Sequence, residues 1–212
     1  NGAWDFFDGN MELSGNYLYN GSNVYSEEES SKITYMQNGD WQYYDEVGTS
    51  TRNTGGHRIG VRLDHTFSPS SSILFEPQFN FGHGSYNEFS NFETLTERGD
   101  GRDSTNKGHS DNFGDNNNWQ TSGFFLFRQR LGKPGRTISA NIRYSFSNNE
   151  MAGNNLSLTQ VKNAETGVWG DEKVDQTFNQ NSKGSSLSGR VVYTEPLGHD
   201  FFLEANYQYG WN

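Results

Sequence analysis

The residues of this sequence that could do chemistry are five histidines and 26 carboxylates. His83 and His109 lie in polar segments near Asp103 and Asp111, and a histidine beside a carboxylate is a common general base in hydrolytic sites. The spacing of these four residues matches no catalytic motif. We therefore interpret them as solvated side chains and predict that the chain is not an enzyme.

Metal and cofactor chemistry has little support. The absence of Cys excludes disulfides, thiolate catalysis and Cys-ligated zinc or iron-sulfur sites. Four neighbouring side chains offer oxygen ligands for calcium, but their order departs from the EF-hand loop: Asp111, Asp115, Asn116 and Asn117. His57 and His65 share an apolar face, which favours an interfacial role over ligation. We predict no catalytic, metal or cofactor site.

The composition excludes some partners and some folds. A net charge of -10 argues against nucleic acid, because phosphate binding needs a basic surface. The mean hydropathy of -0.93 would suit a soluble or disordered chain, but 15% of the residues are aromatic, and disordered chains have few aromatic side chains. No apolar run reaches the roughly 18 residues of a transmembrane helix.

Hydrophobic periodicity predicts β-strands. In residues 57–67 the odd positions are largely apolar and the even positions polar, a strict period of two. Seven segments share this alternation: 11–19, 57–67, 73–82, 125–130, 138–146, 187–194 and 201–211. Pro77 would remove one ladder donor from its strand, so we expect a local bulge there.

The connections alternate between short and long. Turn residues cluster near Pro69, near Pro134 and over Pro196-Leu197-Gly198-His199, whereas segments 21–55, 87–117 and 148–183 are long and polar. Short periplasmic turns and long extracellular loops are the pattern of outer-membrane barrels. We predict an all-β fold of about seven long antiparallel transmembrane strands, a partial barrel in the bacterial outer membrane that forms one region over 1–212. The alternative is a soluble β-sandwich, whose strands average only about five or six residues.

The two faces of these strands differ in kind. Charges on a lipid-facing surface are costly, so their confinement to one face supports a membrane barrel. The predicted lipid-facing residues are Ile59, Val61, Leu63, Phe75, Phe79, Phe127, Ile142, Val191 and Leu203. The predicted lumen-facing residues, placed along a plug or substrate path, are Arg58, Arg62, Glu76, Gln78, Arg128, Arg143, Arg190 and Glu204. We expect Arg190 to pair with Glu204 across their turn.

Aromatic residues should mark both membrane interfaces. The predicted inner rim consists of Phe67, Ile73, Tyr193 and Phe201, and the predicted outer rim of Trp119, Phe81 and Phe146.

One turn and the strand after it resemble a known family. The sequence Leu131-Gly132-Lys133-Pro134-Gly135-Arg136-Thr137-Ile138-Ser139, leading into Ile142-Arg143-Tyr144-Ser145-Phe146-Ser147, is similar to the KKGR-type periplasmic turn of TonB-dependent receptor barrels from Bacteroidetes. That resemblance implies a barrel of about 22 strands with a plug domain in its lumen. The chain would then be an internal fragment, about a third of a barrel, because it shows no plug-like domain, no TonB-box-like segment and an odd number of strands.

The resemblance also implies partners and a function. We expect contact with outer-membrane lipid and lipopolysaccharide, with the remainder of the barrel and its plug, and with a TonB-type energy-transducing protein and a surface lipoprotein. The implied function is nutrient uptake across the outer membrane. The alternative is a non-transporting structural or adhesive barrel, and a barrel enzyme is a third reading. Arg98-Gly99-Asp100 matches an adhesion tripeptide, which chance explains in so polar a segment.

The polar segments carry two further features. Glu27-Glu28-Glu29 and the Asp-rich stretch make them acidic, which suits either solvation or cation binding. Their aromatic residues could stack on a sugar or another flat ligand, or pin the loops to one another: Tyr35, Trp41, Tyr43, Tyr44 and Trp169.

Overall fold

The computed structural model describes residues 1–99, 101–198 and 201–212, and these form eight β-strands in a single sheet. The strands are β1 Gly2–Phe6, β2 Met11–Tyr35, β3 Trp41–Ser68, β4 Ser71–Arg98, β5 Gly101–Arg130, β6 Thr137–Lys162, β7 Trp169–Gly198 and β8 Phe201–Trp211. Each strand pairs antiparallel with the next, so the sheet order follows the chain order. The all-β antiparallel prediction is confirmed, with eight strands instead of seven.

The strand missing from the prediction is β1. It has only five residues, too few to reveal a period of two. Phe7 and Asp8, both at positive φ, and Gly9 turn the chain back into β2. Trp4 then lies opposite Leu13, and Phe6 lies opposite Met11.

The strands continue through the segments predicted as loops, so that prediction is wrong. Strands β2 to β7 are 25 to 30 residues long. Segments 21–55, 87–117 and 148–183 are paired strand ends joined by turns at 36–40, at Gly99 and at 163–168. Asp100 of the adhesion tripeptide and His199 of the third predicted turn lie outside the described residues. The extracellular position of these strand ends stays a prediction.

Pro77 does not produce the predicted bulge. Gly60 pairs with Gln78 and Leu63 with Phe75, so the register is the same on both sides of the proline. The β3–β4 ladder skips the two positions between these pairs, because proline has no N–H to donate. The register shift of this hairpin lies between Thr66 and Ser68, next to the turn.

The sheet forms one layer without a conventional core. Among the described residues, Leu74 is the single buried hydrophobic side chain, whereas most large hydrophobic side chains are exposed. The second sheet that a β-sandwich would need is not found in the described part of the chain. No helix there has the length and hydropathy to span a membrane.

The sheet is curved. Residues from all eight strands line one cavity of about 1140 Å³. In the described residues, β1 and β8 each pair with one neighbour and so leave one edge of the sheet open at either end. An open, curved sheet has a concave face toward the cavity and a convex face away from it.

Candidate functional site

The convex face carries an apolar belt. Paired residues lie on the same face of a sheet, so the ladder assigns every side chain to a face. One row of the ladder runs through Leu63, Phe75, Phe125 and Ile142. All nine residues predicted to face lipid lie on this face: Ile59, Val61, Leu63, Phe75, Phe79, Phe127, Ile142, Val191 and Leu203. Their contact with lipid stays a prediction.

The belt covers only part of each long strand. On β3 the belt extends from His57 to Phe67, and beyond Gly55 the same face becomes polar. Eleven tilted residues span about 25 Å, the height of the apolar band of outer-membrane barrels. The far ends of the strands project beyond this belt.

Aromatic and histidine side chains border the belt on both sides. At one margin His57, Phe81 and Trp119 occupy a single row. Here Tyr17 Oη lies 2.7 Å from His57 Nδ1, and the Tyr19 ring centroid lies 4.9 Å from that of His57. Predicted rim residue Phe146 lies on the same face, one row closer to the centre of the belt.

The other margin lies beside the short turns. His65 meets Phe67 edge-on at 4.4 Å between ring centroids, and His65 Nδ1 donates to the Asn10 carbonyl at 3.0 Å. The remaining residues predicted for this rim are Ile73, Tyr193 and Phe201. Ile73 lies directly opposite His65. Both predicted histidines thus sit at the margins of the belt, not at its centre.

The concave face is polar, and it holds all eight residues predicted to face the lumen: Arg58, Arg62, Glu76, Gln78, Arg128, Arg143, Arg190 and Glu204. Arg62 forms ion pairs with Glu76 and, at 3.4 Å, with Asp64. The Arg143 guanidinium lies 5.0 Å from the centroid of the Phe124 ring. Whether a plug or a substrate passes this face stays a prediction.

The predicted pairing of Arg190 with Glu204 is wrong. Arg190 lies opposite Gln208, and Glu204 lies opposite Thr194, four positions along the ladder. The pairing continues to Gly198 and Phe201, so the hairpin is centred about two residues beyond the midpoint that a 190–204 pair requires. Arg190 Nε is buried without a hydrogen-bond partner in the described structure.

A charged clamp joins two hairpins at the end with the short turns, and the sequence analysis missed it. Arg136 donates from Nε and Nη2 to the Glu195 carboxylate at 2.7 and 2.8 Å, and Lys133 Nζ lies 3.5 Å from Glu195 Oε1. The hydrogen bond from Arg136, followed by the one from Tyr193, lowers the pKa of Glu195 from 4.5 to about 2. The family-like turn is thereby fastened to the end of β7.

Three of the four residues considered for catalysis are engaged in separate structural contacts, whereas Asp111 Oδ1 is buried without a hydrogen-bond partner in the described structure. His83 Nδ1 lies 2.8 Å from Asn117 Oδ1, His109 packs on Phe89 at 6.3 Å between ring centroids, and Asp103 accepts from Lys162 Nζ at 2.7 and 2.8 Å. Across the described residues, no three His, Asp or Glu side chains group as a metal site requires. The absence of enzymatic activity stays a prediction.

Most aromatic residues of the far strand ends pin neighbouring strands together. Tyr35 contacts Trp41 at 5.0 Å between ring centroids, Arg102 lies 3.9 Å above the Tyr43 ring, and Lys107 lies 4.9 Å above Trp169. Arg102 also donates to Glu97 at 2.8 Å, which lowers the pKa of Glu97. Of the two roles predicted for these rings, pinning is the one that these contacts favour.

No protein-family model matches the sequence, and the comparison with curated proteins finds no match either. Among solved structures, the chain is similar to the β domain of the Bordetella autotransporter BrkA, with 11% identity and a TM-score of 0.13 over 93% of this chain and 92% of that one. The siderophore receptor PiuA from Acinetobacter baumannii has 7% identity and a TM-score of 0.19 over 91% of this chain and 46% of that one.

The ferripyoverdine receptor of the Pseudomonas aeruginosa outer membrane has 8% identity and a TM-score of 0.16, over 85% of this chain and 41% of that one. The chain spans less than half the length of either receptor. TM-scores this low do not establish a shared fold. The interpretation of the two faces therefore rests on the sheet itself.

Proposed function

We propose that this chain forms part of the wall of a transmembrane β-barrel in the bacterial outer membrane, within a TonB-dependent receptor-like transporter that takes up a nutrient. The observation that supports it best is the division of the faces. Over the same stretch of about ten residues per strand, one face is apolar and the other holds the charges. A membrane-spanning strand needs about that length.

In this proposal each part of the sheet has a place. The apolar belt lies in lipid, and the concave face lines a lumen with a plug. The clamped turn of Lys133 and Arg136 faces the periplasm and the TonB-type energy-transducing protein. The projecting strand ends face lipopolysaccharide and a surface lipoprotein. The open edges of β1 and β8 pair with further strands of the barrel, since an unpaired ladder cannot stay in lipid.

A non-transporting adhesive or structural barrel is the second candidate. The observation that favours it is the tip of the β2–β3 hairpin, where Tyr35 is 64% and Trp41 44% exposed. A projecting tip with two exposed rings suits contact with a partner molecule.

Single-cysteine labelling tests the membrane placement, because the chain has no Cys of its own. A membrane-impermeant maleimide should label Ser186→Cys on the concave face and not Leu187→Cys in the belt. In intact cells it should label Asn38→Cys at a far turn and spare Ser70→Cys at a near turn. Equal labelling of Ser186→Cys and Leu187→Cys would overturn the assignment of the faces.

Heat-modifiable migration on a gel provides the matching test of a barrel wall. The unboiled protein from outer-membrane fractions should migrate differently from the boiled one. Loss of uptake on removal of the energy-transducing protein would separate the transporter from the adhesive alternative, for which uptake would be unchanged.

A further inference from the structure

Four adjacent rows of the concave face form a surface almost without charge, which we call the neutral wall. It consists of residues 16, 18, 20 and 22 of β2; 54, 56, 58 and 60 of β3; 78, 80, 82 and 84 of β4; 116, 118, 120 and 122 of β5; 145, 147, 149 and 151 of β6; and 180, 182, 184 and 186 of β7. Sixteen of these residues carry a hydroxyl or an amide, and Arg58 is the single charged one.

This lack of charge is unusual for the chain, in which 20% of residues are charged. Hydroxyl and amide groups both donate and accept hydrogen bonds, so the neutral wall can bind a ligand that does both. Many of its side chains are exposed, among them Asn20, Asn118, Gln120 and Ser182. Its lowest row also lines the cavity of about 1140 Å³, through Asn16, Gln78 and Ser122.

Most charges at the two borders of the neutral wall have a partner within the protein. Below it, Arg62 is paired with Glu76, and Arg143 lies over the Phe124 ring. Above it, Arg52 Nη2 lies 3.2 Å from Glu88 Oε1. A charged ligand would find few unpaired countercharges here.

Aromatic rings continue the concave face directly above the neutral wall. Tyr86 and Phe178 share the next row, opposite Gly114 and Gly153. A Cβ placed on Gly153 would lie 2.8 Å from Phe178 Cζ, and one on Gly114 would lie 3.0 Å from Tyr86 Oη. Each ring thus lies down across a glycine of the neighbouring strand and turns one face away from the sheet. Such a platform suits the C–H face of a sugar ring, because the aromatic face is negative.

Farther out, the concave face becomes acidic. Glu28, Glu46 and Glu172 lie in its outer rows. Carboxylates at the mouth of a channel repel anions and so lower their local concentration at the wall. The outer rows therefore disfavour anionic solutes such as polycarboxylates.

We infer that the neutral wall, with the rings of Tyr86 and Phe178 above it, binds a neutral polyhydroxylated solute of the oligosaccharide class. This inference rests on the proposed function, because it names the solute that the transporter would admit. Hydroxyl and amide groups satisfy the sugar hydroxyls, and the two rings hold its apolar faces. Cationic solutes find no carboxylate in the neutral wall, and anionic solutes are repelled by the acidic outer rows.

The test uses the full-length protein, purified from outer membranes in detergent micelles, with heat-modifiable migration as the check on folding. Calorimetric titration compares a neutral maltooligosaccharide with an anionic oligogalacturonate and a cationic chitosan oligomer of similar length. The neutral oligomer should bind at least tenfold more tightly than either charged one. Tighter binding of a charged oligomer, or no binding of the neutral one by the folded chain, would overturn the inference.

Two matched pairs of variants locate the binding surface. Phe178→Ala on the concave face should weaken maltooligosaccharide binding about tenfold, and Phe178→Trp should restore it; Phe113→Ala, on the convex face in the same row of the ladder, should leave affinity unchanged. Asn118→Asp should weaken binding more than Asn117→Asp, because these neighbours have opposite faces. Equal effects within either pair would place the ligand elsewhere and refute the site.

These results are separable from those that test the transporter itself. If the protein passes the labelling and heat-modifiability tests but does not bind the neutral oligosaccharide, only the solute class is contradicted. A chain that fails the labelling test contradicts the proposed function as well.

Discussion

Glu195 illustrates what a single residue contributes at the turn end of the sheet. Two side chains from one hairpin, Arg136 and Lys133, reach the carboxylate at the end of the next strand pair. Sequence spacing gives no sign of this clamp, because its partners are 59 residues apart and meet only through the β6–β7 ladder. A turn motif identifies where the chain reverses, not which other turn it touches.

The clamp predicts a pH-dependent stability. The pKa of Glu195 is lowered to about 2 in the folded state from 4.5, so the clamp's full contribution is present above about pH 4.5 and is lost as the pH falls toward 2. Urea unfolding in micelles should show Glu195→Gln less stable than the parent chain at pH 7, with the difference shrinking between pH 4.5 and 2. Glu165→Gln, in a turn at the opposite end, is the control. A difference that persists unchanged at pH 2 would contradict the clamp.

Alternation alone separates the two faces of a strand. A period of two survives wherever the ladder is regular, so the pattern assigns Ile59 and Arg58 to opposite faces, and the register places them there; which face meets lipid stays a prediction. Arg190 and Glu204 failed as a pair because both arms continue past the predicted turn, to Gly198 and from Phe201, so the chain reverses about two residues later than a 190–204 pair requires. Alternation fixes the face of a residue but not its partner on the next strand.

A charge in the middle of the belt should be costly, whereas one on the neighbouring concave position should not. Leu187 lies in the row of Pro77, Gly123 and Tyr144, about midway between the two aromatic margins. Leu187→Arg should destabilise the protein in lipid vesicles by about 2–4 kcal/mol. Ser186→Arg should cost well under half as much. Urea titration followed by tryptophan fluorescence measures both, and equal costs would argue against a lipid-facing belt.

At the scale of elements, the far halves of the strands are what the sequence analysis misjudged. Segments such as 101–117 are rich in Gly, Asn, Asp and Ser, which have low β-propensity and are typical of loops. The structure pairs them nevertheless, for example Asn112 with Asn155. Rings lying across glycines of the adjacent strand supply packing that propensity scales do not count, because they score each residue without its cross-strand neighbour.

The glycine beneath Phe178 should therefore be indispensable for these strand ends. A Cβ at Gly153 would lie 2.5 Å from the Phe113 carbonyl oxygen and 2.8 Å from Phe178 Cζ, whereas one at Gly170 would find only the Val161 carbonyl oxygen at 3.9 Å. Gly153→Val should cost about 1–3 kcal/mol, as overpacking does, and should speed hydrogen exchange in residues 107–117 and 150–160. Gly170→Val should do neither. Similar exchange rates in both variants would contradict this role for the glycine.

At the scale of the whole molecule, average hydropathy misleads because the apolar residues occupy only one face over part of the strand length. The polar far ends and the polar concave face outweigh the apolar belt, so the mean hydropathy of the chain is -0.93. The aromatic fraction of 15% argued against a disordered chain, and in the structure these rings border the belt and contact neighbouring strands at the far ends. Curvature and the cavity could not be predicted, because they depend on how eight strands stagger together and not on any one of them.

The exposed belt leads to a prediction for the behaviour of the complete chain in solution. Side chains such as Ile59, Ile142 and Val191 are exposed on one continuous face, and soluble monomers rarely expose apolar patches beyond about a few hundred Å². In detergent the belt is covered and sedimentation velocity should show a single species. After detergent removal the chain should associate, even though its net charge of -10 favours solubility.

A variant with Ile59, Ile142 and Val191 all changed to Thr should associate less, because hydroxyl-bearing side chains of similar shape reduce the apolar area while retaining β-propensity. A parent chain that remains monodisperse without detergent would show that the convex face needs no apolar surroundings, and the membrane placement would fall with it.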